Sequence, residues 1–583
     1  MAALLITLVI ALPWLGALLV WLVRDRDENL QHSLALLFSG ASGLASLVLL
    51  AFTGSEVVIR VPVGAYFGDL TFIPDGLGVF LAAVAAVIGS LAVHFSRDYM
   101  HGEAQLGRYY ALVLIFIGAM AALVLTGSLF FLFIFWEITA LCSYALISFD
   151  NDNPRAVAGG IKALLITSVG GLGLLAGALL VYSYLGSYEI STVLERSGEL
   201  PAPALAVLAF GALIAAAAKS AQVPFQTWLP DAMEAPTPVS ALIHAATMVN
   251  AGVYLLARFF PAFAPVPGWT FAVMLVGLLS ALLAALMACT TYDLKRVLAY
   301  STISQLGYMV YAIGAGSVLA SQFHLFSHAV FKALLFLGAG AVIHSVGTRD
   351  MRAMGGLGQK MPFVRNVFIT GALALAGLPP LNGFWSKELI LEAGLHSGPV
   401  WAFALMLLVA GLTAFYTFRT VWMVFFTPSR VSEVHTVGAA MKTALAPLAL
   451  AALVSGFLAG PFDALLSNSL PFHQLHAEST GALLLEVLSA PATLLALAVI
   501  AAGLAAWHFR SALTGLQALA APLQRAASES FGFEWLNHQI VAFVQGFAGF
   551  LRRSQSGQIS WNLAGIIGGL LVVLVILLWA VQV

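Results

Sequence analysis

One stretch of the sequence, Lys219 to Tyr254, limits what this chain can fold into more than any other. It reads KSAQVPFQTWLPDAMEAPTPVSALIHAATMVNAGVY. An apolar run that begins near Ala202 ends in an uncompensated lysine, breaks at Pro224, and resumes as a second apolar run that carries His244. A lysine at the centre of the hydrocarbon costs about 2.5 to 3.5 kcal/mol on insertion scales, and broken backbone at that depth needs protein or a water-filled cavity around it. The stretch therefore predicts an interrupted membrane helix that handles ions.

The composition places the whole chain in a membrane. Of its 583 residues, 61% are hydrophobic and only 9% are charged, and the mean hydropathy is +0.97. Apolar runs of about 20 residues recur along the chain and leave no soluble domain between them. We predict an all-α polytopic membrane protein with about sixteen transmembrane helices, including discontinuous ones, near residues 3–23, 33–53, 77–96, 109–126, 129–149, 160–184, 203–221, 240–258, 269–289, 297–314, 320–344, 364–394, 401–426, 443–458, 490–509 and 562–581.

Charge and cysteine content exclude several classes of protein. The net charge of -1 and the absence of any Lys/Arg run argue against a nucleic-acid partner, so we expect other membrane subunits as partners. Cys142 and Cys289 lie far apart in apolar segments, which gives no support for a disulfide framework, a zinc site or an iron–sulfur cluster. No motif for NADH, flavin or quinone is present. We therefore expect no cofactor and no metal.

Basic residues separate onto alternate loops of the predicted topology. Only Arg60, Arg196 and Arg258 fall on one side, and the other side collects seventeen: Arg24, Arg26, Arg97, Arg108, Arg155, Lys295, Arg296, Arg349, Arg352, Lys360, Arg365, Arg430, Lys442, Arg510, Arg525, Arg552 and Arg553. By the positive-inside rule the richer side faces the cytoplasm and both termini face outward. The first run, Ala2 to Val23, is expected to be a retained span, because it lacks a basic region and a cleavage site.

A second apolar run is broken in the same way as the first. Between Gly371 and Glu392 the sequence is GALALAGLPPLNGFWSKELILE, with glycine, proline and asparagine residues just before Lys387. Paired interruptions of this kind indicate a transporter with inverted repeats and a site at the breaks, because freed carbonyls and half-helix ends line a hydrated midplane.

Glu137 is an acid in the middle of the apolar run LFFLFIFWEITALCSYALISF. An acid within a membrane span is a functional candidate by default, and Lys219 is its natural partner. Burial disfavours the charged form of a lysine, whereas a nearby carboxylate favours it. Movement of Glu137 toward or away from Lys219 would therefore make Lys219 hold or release a proton. The ordinary alternative is a protonated carboxyl group hydrogen-bonded within the bundle.

His324, His328 and Lys332 recur at i, i+4 and i+8, so they lie on one face of a helix within about 12 Å of rise. Such a file of titratable groups is typical of a proton relay. Metal ligation by the two histidines is the rival interpretation, but no carboxylate or third histidine lies nearby in sequence. His244 by itself would be read as a core histidine.

The remaining titratable residues have simpler alternatives. Lys387, followed by Glu388, would end the file at the second break, or the two would form a surface pair with a snorkelling lysine. Lys162 lies near a cytoplasmic helix end and is equally consistent with snorkelling. The cluster at Asp293–Arg296 is interpreted as a solvated helix end.

The segment 511–560 is more polar than the rest of the chain. Its apolar residues roughly follow a helical stripe, which predicts an amphipathic segment at the membrane interface or against neighbouring helices. We expect Pro522 and Gly532 to divide it, so one long surface helix is not predicted.

Six motifs together resemble the antiporter-like family shared by Mrp-type sodium/proton antiporters and the proton-pumping arm of complex I. They are WE at Glu137, the stretch from Lys219, DLKRVLAYSTISQLGYM from Asp293, HAVFKALLF from His328, GTRDMRAMGGL from Gly347 and GLPPLNGFWSKELIL from Gly377. The resemblance covers about residues 70–395 and implies two inverted five-helix repeats. It also implies proton-path roles for Glu137, Lys219, His244, His328, Lys332 and Lys387. Within the family, ITSVGGLG at Ile166 is most similar to the Mrp A subunit.

These observations predict a proton-translocating subunit of a multi-subunit Mrp-type sodium/proton antiporter in a prokaryotic inner membrane, with protons and sodium ions as the expected ions. The alternatives are the distal pump subunit of complex I or a membrane hydrogenase, and a module that couples proton flow to inorganic carbon uptake. The expected divisions are N-terminal helices 1–108, repeats 109–258 and 269–426, and C-terminal helices 427–583. The predicted proton path is Glu137, Lys219, His244, His324, His328, Lys332 and Lys387, supported by Lys162, Glu234 and Glu388.

Overall fold

Membrane-length helices fill most of the chain. The computed structural model describes residues 1–23, 27–64, 66–431, 433–512, 514–554, 563, 565 and 567–571. Its contacts divide the chain into a large unit, Met1–Ala527, and a small unit, Ser528–Val583. Within the described residues, 13 helical segments are long and apolar enough to cross a membrane, and each coincides with a predicted span. The chain is therefore an integral membrane protein.

The other three predicted spans are not among these 13 helical segments. The span at 297–314 is a helix, Leu294–Gly314, but serine, threonine and charged residues make it less apolar than the rest. The span at 364–394 is divided into two shorter helices, Pro362–Ala376 and Asn382–Ser397. Most of the span at 562–581 lies outside the described residues, so it stays a prediction.

Six long helices and a β-hairpin form the N-terminal part. The helices are α1 (Ala2–Val23), α2 (Glu28–Leu49), α3 (Gly76–Tyr99), α4 (Leu106–Leu125), α5 (Leu129–Ile147) and α6 (Pro154–Leu185). Strands β1 (Ile59–Gly64) and β2 (Gly68–Phe72) pair antiparallel between α2 and α3, which the all-helical prediction omitted. Arg60 on β1 bonds Asp69 at 2.8 Å and Glu189 at 2.5 Å, and these carboxylates raise the pKa of its guanidinium.

The first predicted break is observed as a series of short elements. After α7 (Ile190–Arg196), helix α8 (Ala202–Lys219) ends at the buried lysine. An irregular segment follows, then α9 (Trp228–Asp231) and α10 (Thr237–Ala241). A π-helical turn, Leu242–Ala246, leads into α11 (Met248–Arg258) and α12 (Phe260–Phe263). Proline lacks a backbone donor and fixes φ, so the prolines of this region end one helical segment and begin the next.

The second half contains the other broken helix. Its elements are α13 (Trp269–Thr290), α14 (Leu294–Gly314), α15 (Val318–Val346), α16 (Leu357–Lys360), α17 (Pro362–Ala376) and α18 (Asn382–Ser397). Helix α17 stops at Gly377, whose φ of +85° is left-handed and therefore favours glycine. A prolyl turn then redirects the chain into α18, which carries Lys387.

The C-terminal part is described up to Ser554 and at a few residues beyond. Its elements are α19 (Val400–Phe425), α20 (Ala439–Val454), α21 (Ala459–Ser467), α22 (Thr480–Ser489), α23 (Pro491–His508), α24 (Thr514–Ser528) and α25 (Phe533–Ser554). The amphipathic segment is divided near Gly532 as predicted, because Phe531 and Gly532 both have positive φ. The expected division at Pro522 is wrong, since this proline lies inside α24.

Paired glycines allow two pairs of helices to approach closely. A Cβ added at Gly173 on α6 would lie 2.8 Å from the carbonyl oxygen of Gly211 on α8. A Cβ added at Gly307 on α14 would lie 2.6 Å from the carbonyl oxygen of Gly277 on α13. Small residues at such crossings let backbones touch, which replaces the hydrophobic driving force that lipid does not provide. These contacts pack α8 closely against α6 and α14 closely against α13.

Candidate functional site

The first region of the site surrounds the end of α8. Lys219 is fully buried, and its Nζ donates to the carbonyl oxygen of Trp136 on α5 at 2.5 Å and lies 4.6 Å from the centre of the Trp136 ring. The next residue on α5 is Glu137. Its Oε2 accepts a hydrogen bond of 2.7 Å from Ser168 on α6, and its Oε1 has no hydrogen-bond partner. Glu137 and Lys219 are electrostatic neighbours, but within the part of the chain that the structure describes they do not form a direct ion pair.

The position of the Glu137 carboxylate depends on a glycine in α6. A Cβ at Gly171 would lie 2.6 Å from Oε1, so any larger residue would displace the carboxylate. The pairing of Glu137 with Lys219 expected from the sequence is therefore indirect in this structure: the two groups flank Trp136, and Glu137 leans toward α6 instead.

His244 lies in the π-helical turn between α10 and α11. It is fully buried between the rings of Trp228 and Phe336, with ring centres 6.3 and 5.8 Å away, and neither of its nitrogens has a hydrogen-bond partner. A π turn leaves backbone groups to be satisfied, and side chains do this here: Thr247 donates to Leu242 O at 2.6 Å. The turn thus places a histidine with two free nitrogens in the protein interior.

The file predicted on α15 is present and lies inside the bundle. His324, His328 and Lys332 are all fully buried. The Nδ1 of His324 is 2.9 Å from the Ser386 hydroxyl, and its Nε2 is 3.1 Å from Gln305 Oε1. Both His324 nitrogens are thus engaged with protein groups. Among the residues that the structure describes, no group of three or more His, Cys, Asp or Glu side chains is arranged to hold a metal ion.

The other two members of that file, His328 and Lys332, have different surroundings. His328 packs edge-on against Phe331 and has no hydrogen-bond partner at either ring nitrogen. Lys332 donates to Leu298 O at 3.0 Å and also to the Ser301 hydroxyl. Because a buried polar atom without a partner is unfavourable, the free nitrogens of His328 indicate a place that a water molecule or a proton carrier would occupy.

The second broken helix supplies Lys387 and Glu388, and both are buried. Lys387 Nζ donates to Leu375 O at 2.8 Å, which is one of the last carbonyls of α17, and it lies 5.5 Å from the centre of the Tyr308 ring. Glu388 is 1% exposed, and neither carboxylate oxygen has a hydrogen-bond partner. The alternative of a snorkelling surface pair does not describe this arrangement.

A polar cavity of about 580 Å³ opens between α3, the loop before α6 and the loop after α9. The exposed acids Glu103, Asp150 and Asp152 line it together with Glu234 and Arg349. Arg349 Nη2 bonds Glu234 at 2.9 Å. Glu234, predicted as a supporting residue, therefore belongs to the wall of a water-accessible cavity.

Lys295 also lines this cavity, and its interpretation as part of a solvated helix end is wrong. It is only 3% exposed, and its Nζ donates to Ala235 O at 2.6 Å. The position of Lys295 in the first turn of α14 suggested a solvent-facing cap, but the non-helical segment before α10 covers it. Lys162, another predicted supporting residue, forms a salt bridge in which its Nζ lies 2.8 Å from Asp231 Oδ2.

Six buried groups lie within electrostatic range of one another in an unbroken series. They are Lys295, His244, Lys332, His328, His324 and Lys387. Glu137 and Lys219 form a separate pair. Trp228 lies between the pair and the series, because its indole donates to Ala218 O at 2.9 Å and its ring faces His244. A chain of protonatable groups of this kind can pass a proton from one group to the next, provided that water fills the gaps.

Comparison with known proteins identifies the family of the chain. Residues 126–413 match the transmembrane family described as NADH:quinone oxidoreductase/Mrp antiporter. The NAD(P)H-quinone oxidoreductase subunit 5 of the Paulinella chromatophora chromatophore is 36% identical over 79% of this chain and 77% of its own length. The chain belongs to this NADH:quinone oxidoreductase/Mrp antiporter family. The match spans both broken helices and the α15 file.

Relatives of this antiporter-family chain carry two kinds of name. The NAD(P)H-quinone oxidoreductase chain 5 of Synechocystis sp. is 40% identical over 70% of this chain and 61% of that protein. The Na(+)/H(+) antiporter subunit A1 of Staphylococcus aureus is 38% identical over 73% of this chain and 57% of that protein. This chain thus matches less than two thirds of the length of both relatives.

Two solved structures resemble the antiporter-family chain. A chain of the Mrp complex from Dietzia sp. superposes with a TM-score of 0.84 at 30% identity, covering 99% of this chain and 63% of that one. A chain of the membrane-bound sulfane sulfur reductase, an archaeal respiratory membrane complex, superposes with a TM-score of 0.72 at 25% identity, covering 83% of this chain and 99% of that one.

One further buried group in this antiporter-family chain was not recognised from the sequence. Arg258, which the topology placed in a loop, is 6% exposed and bonds both carboxylate oxygens of Asp75, at 2.6 and 2.9 Å. It also donates to the Tyr254 hydroxyl, which itself donates to Val124 O at 2.9 Å. The i, i+4 spacing of the tyrosine and the arginine was the available signal. This cluster fixes α11, which continues from the His244 turn, to α3 and α4.

Proposed function

We propose that this chain is the proton-translocating membrane subunit of a multi-subunit Mrp-type sodium/proton antiporter. The observation that carries the proposal is the set of buried lysines and histidines that lie at the two broken helices and on α14 and α15 between them, none of which is held in an ion pair within the described residues. Burying such groups is unfavourable, so a series of them at helix breaks is typical of an ion path. The TM-score of 0.84 to a chain of the Mrp complex supports the choice of complex.

In the proposed path, a proton enters from the polar cavity beside Lys295 and Glu234. His244 and Lys332 then connect the cavity to the α15 file, which leads through His328 to Lys387. A proton that crosses 100 mV exchanges about 2.3 kcal/mol with the membrane potential, so an opposing ion gradient or a partner subunit must supply or take up that energy.

The pair of Glu137 and Lys219 lies beside this path and would set its state. When the Glu137 carboxylate leans toward Ser168, the Lys219 ammonium has only the Trp136 carbonyl and ring as partners. When the carboxylate turns toward Lys219, the ammonium gains an anion. We propose that this movement couples the chain to its neighbour in the complex.

The topology belongs to the same proposal. We propose that residues 109–258 and 269–426 form two inverted repeats, with one broken helix in each. The basic loops would face the cytoplasm of a prokaryotic cell, with the chain in the inner membrane and both termini outside the cytoplasm. Its partners would be other membrane subunits, and its ions would be protons and sodium.

A second candidate is a proton-pumping subunit of a quinone oxidoreductase. The chain is 40% identical to a NAD(P)H-quinone oxidoreductase chain 5, and a respiratory membrane complex contains a chain of the same fold. In that case the energy would come from redox chemistry in other subunits.

Purification of the natural complex separates the two candidates. Small antiporter subunits and sodium-dependent proton flux in proteoliposomes are expected for the first, and iron–sulfur subunits for the second. Proton flux that is unchanged in complexes with Lys219→Met and Lys387→Met variants would contradict both.

A further inference from the structure

Glu388 was predicted only as a supporting residue and has no step in the path proposed above, although it is one of the most buried acids in the described chain. Both of its carboxylate oxygens lack a hydrogen-bond partner. Thr493 on α23 is a polar neighbour, but its hydroxyl donates to Val487 O at 2.6 Å. A buried carboxylate without donors is unfavourable, so we expect Glu388 to be stabilised by a proton, a water molecule or a cation.

Two further titratable residues continue from Glu388 along the same face of α18. Glu392 and His396 follow at i+4 and i+8, so the file spans about 12 Å of rise. Glu392 is 8% exposed; one of its oxygens lies 2.8 Å from His396 Nε2, and the other has no partner. The His396 side chain is 72% exposed. The file therefore leads from the protein interior to the surface at the Ser397 end of the helix.

Among the described residues, the titratable groups that face this file include Lys387, Tyr308, Glu486 and Tyr311, whose hydroxyl faces Gly394 on α18. Lys387 and Tyr308 are the charged or titratable neighbours of Glu388 toward the interior. Glu486 on α22 is exposed and is an electrostatic neighbour of Glu392 and His396. The mouth of the file is thus acidic, and an acidic mouth raises the local concentration of protons and cations.

We propose that Glu388, Glu392 and His396 form the passage through which protons move between Lys387 and the surface at the Ser397 end of α18. This inference rests on the proposed function, because it extends the same path. An N–H bond of the Lys387 ammonium breaks as an O–H bond forms on Glu388. The proton moves on to Glu392, across a water molecule where the groups do not touch, and then to His396 and the solvent. Each carboxylate returns to its anionic form, and the reverse sequence takes a proton up.

The ordinary reading of Glu392 and His396 is a surface helix pair, which contributes about 0.3–0.5 kcal/mol and nothing to transport. That reading leaves the bare carboxylate of Glu388 and the free oxygen of Glu392 without an explanation. It also makes no use of the electrostatic contact between Glu388 and its neighbour Lys387.

Proton flux through the assembled complex in proteoliposomes tests the proposal. We expect Glu392→Gln to lower the flux by roughly a hundredfold or more, since a proton-transfer group contributes about 10²–10⁴-fold. Glu392→Asp should restore part of it. The dependence of the flux on pH in the compartment at the Ser397 end should change in His396→Gln, which a purely structural role would not produce. Glu195→Gln, an exposed acid on α7, is the matched control and should have normal flux.

The outcome also separates this proposal from the proposed function. Normal flux in Glu392→Gln, with Lys219→Met inactive, would overturn the passage and leave the proposed function in place. Normal flux in Lys219→Met would overturn the proposed function first.

Accessibility provides a second measurement that does not depend on activity. In a variant without Cys142 and Cys289, a cysteine placed by Glu392→Cys should react with a membrane-impermeant thiol reagent added at the Ser397 side. Leu408→Cys, at a 48% exposed position in the middle of α19, should be shielded by lipid. Protection of the Glu392→Cys position from that side would overturn the passage.

Discussion

Replacing Lys219 with methionine should remove transport while leaving the fold intact. Burial of the ammonium costs about 2.5–3.5 kcal/mol on insertion scales. Its hydrogen bond of 2.5 Å to Trp136 O returns about 1.5–3 kcal/mol, and its contact with the indole ring returns up to about 2 kcal/mol. These opposing contributions nearly cancel. Methionine fills a similar volume without a charge, so we expect the free energy of unfolding to change by less than about 2 kcal/mol.

Two measurements on the same purified complex test this expectation. Thermal unfolding is followed with a thiol-reactive dye in a Cys289→Ala background, because Cys289 is partly exposed, whereas Cys142 is buried on α5 next to the site and is expected to react on unfolding. Proton uptake is measured in proteoliposomes and should fall to the passive leak. Lys360→Met is the matched control, since Lys360 also donates to a backbone carbonyl, Val431 O at 3.0 Å, but is exposed. If the free energy of unfolding of Lys219→Met fell by more than about 3 kcal/mol, Lys219 would have a structural role. Normal proton uptake in this variant would refute the proposed role of Lys219 in proton transport.

Two other variants test the surroundings of the path. Arg258→Met should destabilise the protein by about 3–5 kcal/mol, because it leaves Asp75 buried without its cation. Adding Asp75→Asn should recover part of that loss of stability. If the losses from the two substitutions were additive instead, the two residues would not be coupled. Gly171→Ala should lower proton uptake severalfold at normal thermal stability, because Glu137 Oε1 must move by about 0.4 Å, from 2.6 Å to the 3.0 Å that real Cβ atoms tolerate. Gly198→Ala, with nothing within 4 Å, should leave uptake unchanged, and equal uptake in both glycine variants would refute the steric argument.

The sequence predicted the membrane helices well because their signal is local. A run of about 20 apolar residues is enough to define a span, and 13 such spans coincide with helices in the structure. The broken helices were also recognisable, since a lysine next to a proline-rich interruption is rarely tolerated in lipid. The hairpin of β1 and β2 was missed, because its strands are short and carry neither strict alternation nor a strong apolar signal.

The partners of the charged groups could not be predicted, since they come from distant parts of the chain. Glu137 bonds a serine 31 positions later instead of pairing with Lys219, and Lys295 is covered by the segment that precedes α10. Arg258 meets Asp75 across 183 positions. Periodicity places a residue on one face of a helix, but which helix covers that face is a property of the packed bundle.

The buried lysines share a kind of partner that suits proton transfer. Each donates to a backbone carbonyl: Lys219 to Trp136, Lys295 to Ala235, Lys332 to Leu298 and Lys387 to Leu375. A carboxylate partner would be left as an uncompensated buried charge when the lysine lost its proton, which is strongly unfavourable. A carbonyl is neutral, and an uncharged amine still has N–H groups to donate to it. The Leu375 carbonyl lies in the last turn of α17, where the helix dipole favours a positive charge. The lysines can therefore keep their positions in both protonation states, as the proposed proton path requires.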